Sequence, residues 1–167
     1  CQPGSFTLSS LSTVTNALFS AGGPLKLGSL RNIEIKRNHH TVGTLDLYDF
    51  LLRGDKTRDF RLESGDTIFI PPIGPIAAID GEVKRPGIYE IKGATRVTDI
   101  IEMAGGLMPQ SYLKRVQVIR NKPNAGREVI DLDLANLGQG LNGDSPKDIE
   151  LRNGDLVKIY ATDPRIY

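Results

Sequence analysis

The sequence predicts an α+β protein built from two tandem copies of one unit, each a mixed sheet packed by one short helix. Three observations carry the prediction. Val14, Ala17, Leu18 and Ala21, and again Val97, Ile100, Ile101 and Ala104, place apolar residues at helical spacing, and each run meets a Gly-Gly pair that stops it. Ile33 with Ile35, and Val116 with Val118, alternate with polar neighbours as half-buried strands do. These signals also recur in one order. Pro3-Gly4 falls against Pro86-Gly87, Val14-Thr15 against Val97-Thr98, Ala21-Gly22-Gly23 against Ala104-Gly105-Gly106, and Arg37-Asn38 against Arg120-Asn121, with no gap from Pro3 to Asn38. Further on, Asp46-Leu47 aligns with Asp131-Leu132 and Gly65-Asp66 with Gly154-Asp155. The insertions this needs fall in loops, where added length costs little.

The elements follow in order. Ser5 to Leu8 has strand character, and Ser12 is the expected N-cap of the first helix. Leu30 to Asn38 reads as a strand, His39 to Thr41 as a loop, Thr44 to Leu47 as extended and Tyr48 to Leu52 as a helical turn closed by Gly54. A Ser64-Gly65-Asp66 turn leads into Thr67 to Ile70, which Pro71-Pro72 ends because proline cannot donate to a ladder. Ile73 to Pro75 is a short linker. In the second copy Ile76 to Val83 is a strand, Pro86-Gly87 turns into Ile88 to Ile91, and Thr95 is the expected cap of the second helix. Leu113 to Arg120, Glu128 to Leu132 and Leu156 to Tyr160 are strands, Leu134 to Leu137 a helical turn and Gln139 to Lys147 a loop. The expected domains are residues 1–72 and 73–162, with 163–167 a tail. The first copy has only Cys1-Gln2 where the second has Ile76 to Val83, so it is expected to lack its opening strand and to leave a slot in its sheet.

Composition excludes several classes. The 167 residues suit one ordinary domain or two small ones, and 39% hydrophobic with 25% charged residues is the globular range. Lys and Arg total 21 against 20 Asp and Glu, so no basic surface for nucleic acid is expected. No 18-residue apolar window exists to span a membrane. A single cysteine, Cys1, leaves no internal disulfide and no paired-cysteine metal or redox site.

The ordered set Val83, Arg85-Pro86-Gly87, Tyr89, Thr95 to Ile101, Ala104 to Gly106 and Val116 to Asn121, with Ile130 to Leu132 and Asn153 to Val157 behind it, resembles the SLBB domain, a soluble ligand-binding β-grasp. Two tandem copies resemble the periplasmic part of outer-membrane polysaccharide export proteins. That resemblance implies β-grasp folds, a periplasmic location within an outer-membrane-associated protein, and a ring homo-oligomer around a channel for capsular polysaccharide or exopolysaccharide. It also implies the inner-membrane polysaccharide copolymerase and tyrosine-kinase component as partner. SLBB domains also occur in a respiratory NADH-dehydrogenase subunit and in cobalamin-binding proteins.

No catalytic constellation, metal site or cofactor is expected. His39 and His40 lack a third ligand and read as loop residues. Asp66 and Asp155 sit in turns where an aspartate caps its own backbone, and Asp46 with Asp131 recurs between copies rather than forming a catalytic pair. The Gly-Gly pairs end helices, whereas phosphate loops precede them. Arg37 and Arg120 are expected to pair structurally with carboxylates. Lys84, Arg85 and Tyr89, a basic pair beside an aromatic, are the candidate glycan or partner contact, with a solvated turn as the plain alternative. The expected function is a non-enzymatic export scaffold that contacts polysaccharide or its inner-membrane partner. The alternatives are a small-ligand- or glycan-binding adaptor module and an accessory domain of a redox or nucleic-acid enzyme.

Overall fold

The computed structural model describes residues 13–23, 27–135 and 148–162. Two compact units divide the chain, Cys1–Gly74 and Pro75–Tyr167. Ser5 to Leu8 and Gln139 to Lys147 lie outside the described residues, as do Leu137 and the tail.

In the first unit, helix α1 spans Val14–Ser20. Its N-cap is Thr13, one residue beyond the expected Ser12, because a cap hydroxyl must reach the third helical amide; Thr13 accepts from the Asn16 N–H at 3.4 Å. The helix ends in a Schellman pattern: the Gly23 N–H donates to the Leu18 carbonyl and the Gly22 N–H to that of Phe19. Both glycines hold positive φ, 86° and 76°. Strand β1, Ile33–Arg37, pairs antiparallel with β2, His40–Leu45, around a two-residue turn. Asn38 and His39 occupy that turn with φ of 49° and 65°, the double left-handed signature of a type I′ hairpin. His40 and Thr41, expected in a loop, are therefore the first residues of β2, opposite Arg37 and Lys36. Helix α2, Leu47–Arg53, is capped by Asp46, which accepts from the Tyr48 N–H at 3.0 Å, and closes on Gly54 at φ 68°. Strand β3, Thr67–Phe69, completes an antiparallel sheet of order β2-β1-β3. Val14, Leu18, Ile33, Ile35, Leu45 and Leu47 form the buried core, with Leu30, Leu62, Ile68 and Ile70 packed at its margin. Each fully buried aliphatic contributes about 1.5–3 kcal/mol of transfer free energy before chain entropy is subtracted.

The second unit is a five-stranded mixed sheet of order β5-β4-β8-β6-β7. Its strands are β4 Ile76–Gly81, β5 Gly87–Glu90, β6 Ser111–Lys122, β7 Gly126–Leu132 and β8 Leu156–Ala161. β4, first in the unit, lies parallel to β8, last in the unit, and every other pair is antiparallel. Helix α3, Val97–Met103, buries Val97, Ile100, Ile101 and Met103. Ala77, Ile79, Val116, Val118, Leu132, Val157 and Ile159 are buried along one face of the sheet. The N-cap is Arg96 rather than Thr95, which is itself buried and donates its hydroxyl to the Lys92 carbonyl at 3.2 Å. Two carboxylates satisfy the first turn instead. Asp99 accepts from the Arg96 N–H at 2.7 Å, and the distant Asp148 accepts from the Thr98 N–H at 3.3 Å. At the far end Gly106 and Gly105 donate to the Ile101 and Glu102 carbonyls, again a Schellman closure.

Hydrogen bonds correct one alignment made from sequence. Asp133, not Asp131, accepts from the amide two residues on (Ala135, 3.0 Å), as Asp46 does from Tyr48. Leu134 donates its N–H to the Leu113 carbonyl, as Leu47 does to that of Leu30, both at 2.8 Å. Asp46-Leu47 thus shares its bonding with Asp133-Leu134 and not with Asp131-Leu132. The sequence Asp131-Leu132-Asp133-Leu134 repeats with the period of a strand, so a slip of two residues keeps every side chain on its face and is invisible to pattern.

Candidate functional site

The turn between β4 and β5 carries Lys84, Arg85 and Tyr89, and its position is fixed by the end of α3. The Lys84 N–H donates to the Gly106 carbonyl at 3.0 Å and the Arg85 N–H to that of Ala104 at 2.9 Å. The Met108 N–H returns a bond to the Glu82 carbonyl at 3.0 Å. Gly105 permits this contact. A Cβ there would lie 3.2 Å from Arg85 Nε and 3.4 Å from Lys84 Cβ, and its φ is +82°. The Arg85 guanidinium therefore lies beside the carbonyl end of α3, where positive charge is favoured. Lys84 and Arg85 are exposed and Tyr89 is half-buried. The Tyr89 hydroxyl donates to the Arg85 carbonyl at 2.6 Å, so its polar end closes the turn while one flank of the ring meets solvent. The three candidates thus share one turn, two as exposed cations and one as its brace.

A pair of arginine–aspartate bridges holds the turn before the last strand in each unit. Arg120 on β6 forks onto Asp155, Nε to Oδ1 at 3.0 Å and to Oδ2 at 3.3 Å and Nη2 to Oδ2 at 2.7 Å, and Nη2 also reaches the Glu150 carbonyl. Asp155 accepts in addition from the Arg152 N–H at 2.8 Å. In the first unit Arg37 meets Asp66 at 2.7 and 2.8 Å, and Asp66 accepts from the Glu63 N–H at 2.8 Å. The Arg37 hydrogen bonds hold the Asp66 carboxyl below the usual carboxylate range, and Asp66 and Asp155 raise the two guanidinium pKa values in return. Arg37 also meets the Glu63 carboxylate at 2.8 Å.

The face of the five-stranded sheet turned away from its buried side carries residues that the sequence did not single out. Ile88, Ala78, Leu156, Ile119 and Val129 lie directly opposite one another across all five strands. The row ends are open, Ile88 being 69% exposed and Val129 50%. The neighbouring row, Asp80, Lys158, Gln117 and Asp131, is polar, with Gln117 Nε2 donating to Asp131 at 2.8 Å. Beside it Tyr160 donates to Gln117 Oε1 at 2.5 Å, and its ring lies under Arg115 and Lys158, 5.2 and 5.7 Å from their charged centres. In the first unit Lys36 faces Thr67 between β1 and β3, a polar pair. Alternation along Ser111–Lys122 signals which residues face outward. Which of them become neighbours depends on register, and that needed the structure.

His39 and His40 are exposed at their turn, and no group of three or more metal-binding side chains occurs among the described residues. No helix among those residues is long and apolar enough to cross a membrane.

A mixed sheet with a short helix across it, in which the first and last strands are parallel neighbours, is a β-grasp-like α+β architecture. Residues 76–132 match the family model of the SLBB domain, and the second unit holds an SLBB domain. A comparison with curated proteins found no match.

Proposed function

We propose that the chain is a non-enzymatic scaffold from a polysaccharide export protein, with its first unit a second copy of the SLBB fold. The family match over residues 76–132 carries the reading. The tandem arrangement draws its support from shared geometry. In both units the arginine–aspartate bridge, the Schellman closure and an Asp on the second amide of the helix recur, Asp59 to Thr15 at 3.1 Å and Asp148 to Thr98 at 3.3 Å. The β1–β3 register also maps onto that of β6–β8: Glu34 faces Phe69 as Gln117 faces Lys158, and Ile35 faces Ile68 as Val118 faces Val157.

In this reading the protein works in the periplasm as a ring homo-oligomer, guides capsular polysaccharide or exopolysaccharide, and meets an inner-membrane copolymerase and tyrosine-kinase component. Lys84 and Arg85 offer exposed charge to an acidic glycan or a partner, and the Arg115–Lys158–Tyr160 cluster offers charge over a ring face. Deletion of residues 75–162 from the full gene product in its own cell tests the proposal. Surface polysaccharide should fall to background while the lipid-linked precursor accumulates. Undiminished surface polysaccharide in the deletion strain overturns it. Calorimetry of the isolated chain against neutral and acidic oligosaccharides separates the adaptor reading, which requires tight binding by the monomer.

A further inference from the structure

We infer that the outer edge of β3 is the seat of a further strand, running parallel to β3 and supplied by an extended polypeptide segment with the chemistry of β4. The inference rests on the reading of the first unit as a second copy, though not on export. In the second unit β8 is flanked on both sides. It pairs with β6 on one edge and with β4 on the other, Ala78 facing Leu156, Ile79 facing Val157, Asp80 facing Lys158 and Gly81 facing Ile159. β3 keeps the same register toward β1 but has no described strand on its other edge.

The groups that hold β4 identify the vacant ones. The Asp155 carbonyl accepts from the Ala78 N–H at 2.8 Å, the Ile159 carbonyl from the Glu82 N–H at 3.0 Å, and the Gly154 N–H donates to the Ile76 carbonyl at 2.8 Å. Their counterparts are the Asp66 and Ile70 carbonyls and the Gly65 N–H, which form no hydrogen bond among the described residues. Backbone groups alternate sides along a strand, so the Ile68 N–H and carbonyl point to this same edge. Burial tells the same story. Val157, Ile159 and Leu151 are 0%, 2% and 4% exposed, whereas Ile68, Ile70 and Leu62 are only half-buried. The pairing of β4 ends at Gly81 opposite Ile159, which maps to Ile70 and stops short of Pro72, a residue with no N–H to offer a ladder. The occupant is therefore about four paired residues long, with aliphatics at the positions of Ala77 and Ile79 facing the core and a small residue at the position of Gly81.

The test adds a synthetic peptide of residues 75–84 to the full chain and follows amide hydrogen exchange. Binding with roughly tenfold slower exchange at Gly65 and Ile68, and no change along β5, supports the seat. A peptide with proline in place of Ala78 lacks the N–H aimed at the Asp66 carbonyl and should bind at least about tenfold more weakly. Equal binding of the two peptides, or no protection of β3 at saturating peptide, overturns the inference. So does a chain that dimerises through this edge without peptide, since a second copy would then be the occupant. Export is read in cells and strand addition on the isolated chain, so the two proposals fail separately.

Discussion

Arg120 reaches across from β6 to grip Asp155, whose side chain is 1% exposed, with two hydrogen bonds no longer than 3.0 Å. Its counterpart Arg37 makes the same fork on Asp66 but is itself 31% exposed. Removing one partner of a buried pair strands a charge, at a cost of about 3–5 kcal/mol, whereas water screens an exposed arginine. Arg120→Ala should therefore lower the urea stability of the second unit by about that amount, and Arg37→Ala should cost the first unit clearly less. Equal losses would mean that burial does not set the strength of these bridges.

The depressed pKa of Asp66 makes the stability of the first unit depend on acid. Its carboxylate is favoured in the folded state, chiefly by the hydrogen bond from Arg37, so the folded pKa lies below the ordinary 3.8. The contribution is fully present above that value and is lost as pH falls below it toward the folded pKa. Thermal unfolding followed from pH 6 down to pH 2 should show a decline beginning below about pH 4. The Asp66→Asn variant should be less stable at pH 6 and should lose less on acidification. An acid decline as steep in the variant as in the parent removes Asp66 as its source.

Gly81 tests the parallel contact between β4 and β8. Its φ is +95°, and a Cβ would run into the carbonyl oxygen of Ile159. Backbone is on the other side of the clash, so nothing there can swing away. Gly81→Ala should cost about 2 kcal/mol or more. Gly87→Ala, at a position with open space and no positive φ, should fall within about 0.5 kcal/mol of the parent. Matched denaturant curves of the two variants decide it.

At the tip of the β1–β2 hairpin His39 holds φ 65° without the freedom of glycine. His39→Gly creates the Asn-Gly pair that type I′ turns favour and should stabilise the first unit by about 0.5–1 kcal/mol, or a few degrees in Tm. A neutral or lowered Tm would show that His39 has compensating contacts.

Much of the fold is legible in the sequence, because local rules and tertiary packing agree. The Gly-Gly stops of both helices, the buried faces of Val14 with Leu18 and of Val97 with Ile101, and the alternation of Ile33 with Ile35 are short-range signals. The misses have two causes: a partner far away in sequence, or a local pattern that was incomplete or ambiguous. Thr95 looked like a cap, but Asp148 satisfies the first turn of α3 from fifty residues downstream, and that left Thr95 free to be buried. His39 hid a tight turn because the usual glycine is absent. The pairing of Asp46 with Asp131 slipped by two because a strand reads the same after two residues. The bracing of Tyr89 against the Arg85 carbonyl, and the apolar row from Ile88 to Val129, follow from turn geometry and strand register, which no single window of sequence encodes.

The parallel pairing of β4 with β8 governs when this domain can come into being. Ile79 and Val157 are direct neighbours, yet nearly the whole unit separates them along the chain. On the ribosome the opening strand must wait, with one edge bare, until the last strand emerges. Such long-range closure slows folding and keeps an adhesive edge exposed meanwhile. A chain that stalls before Leu156 should therefore be a poor folder and a ready substrate for chaperones, even though its helix and its longest hairpin are already complete.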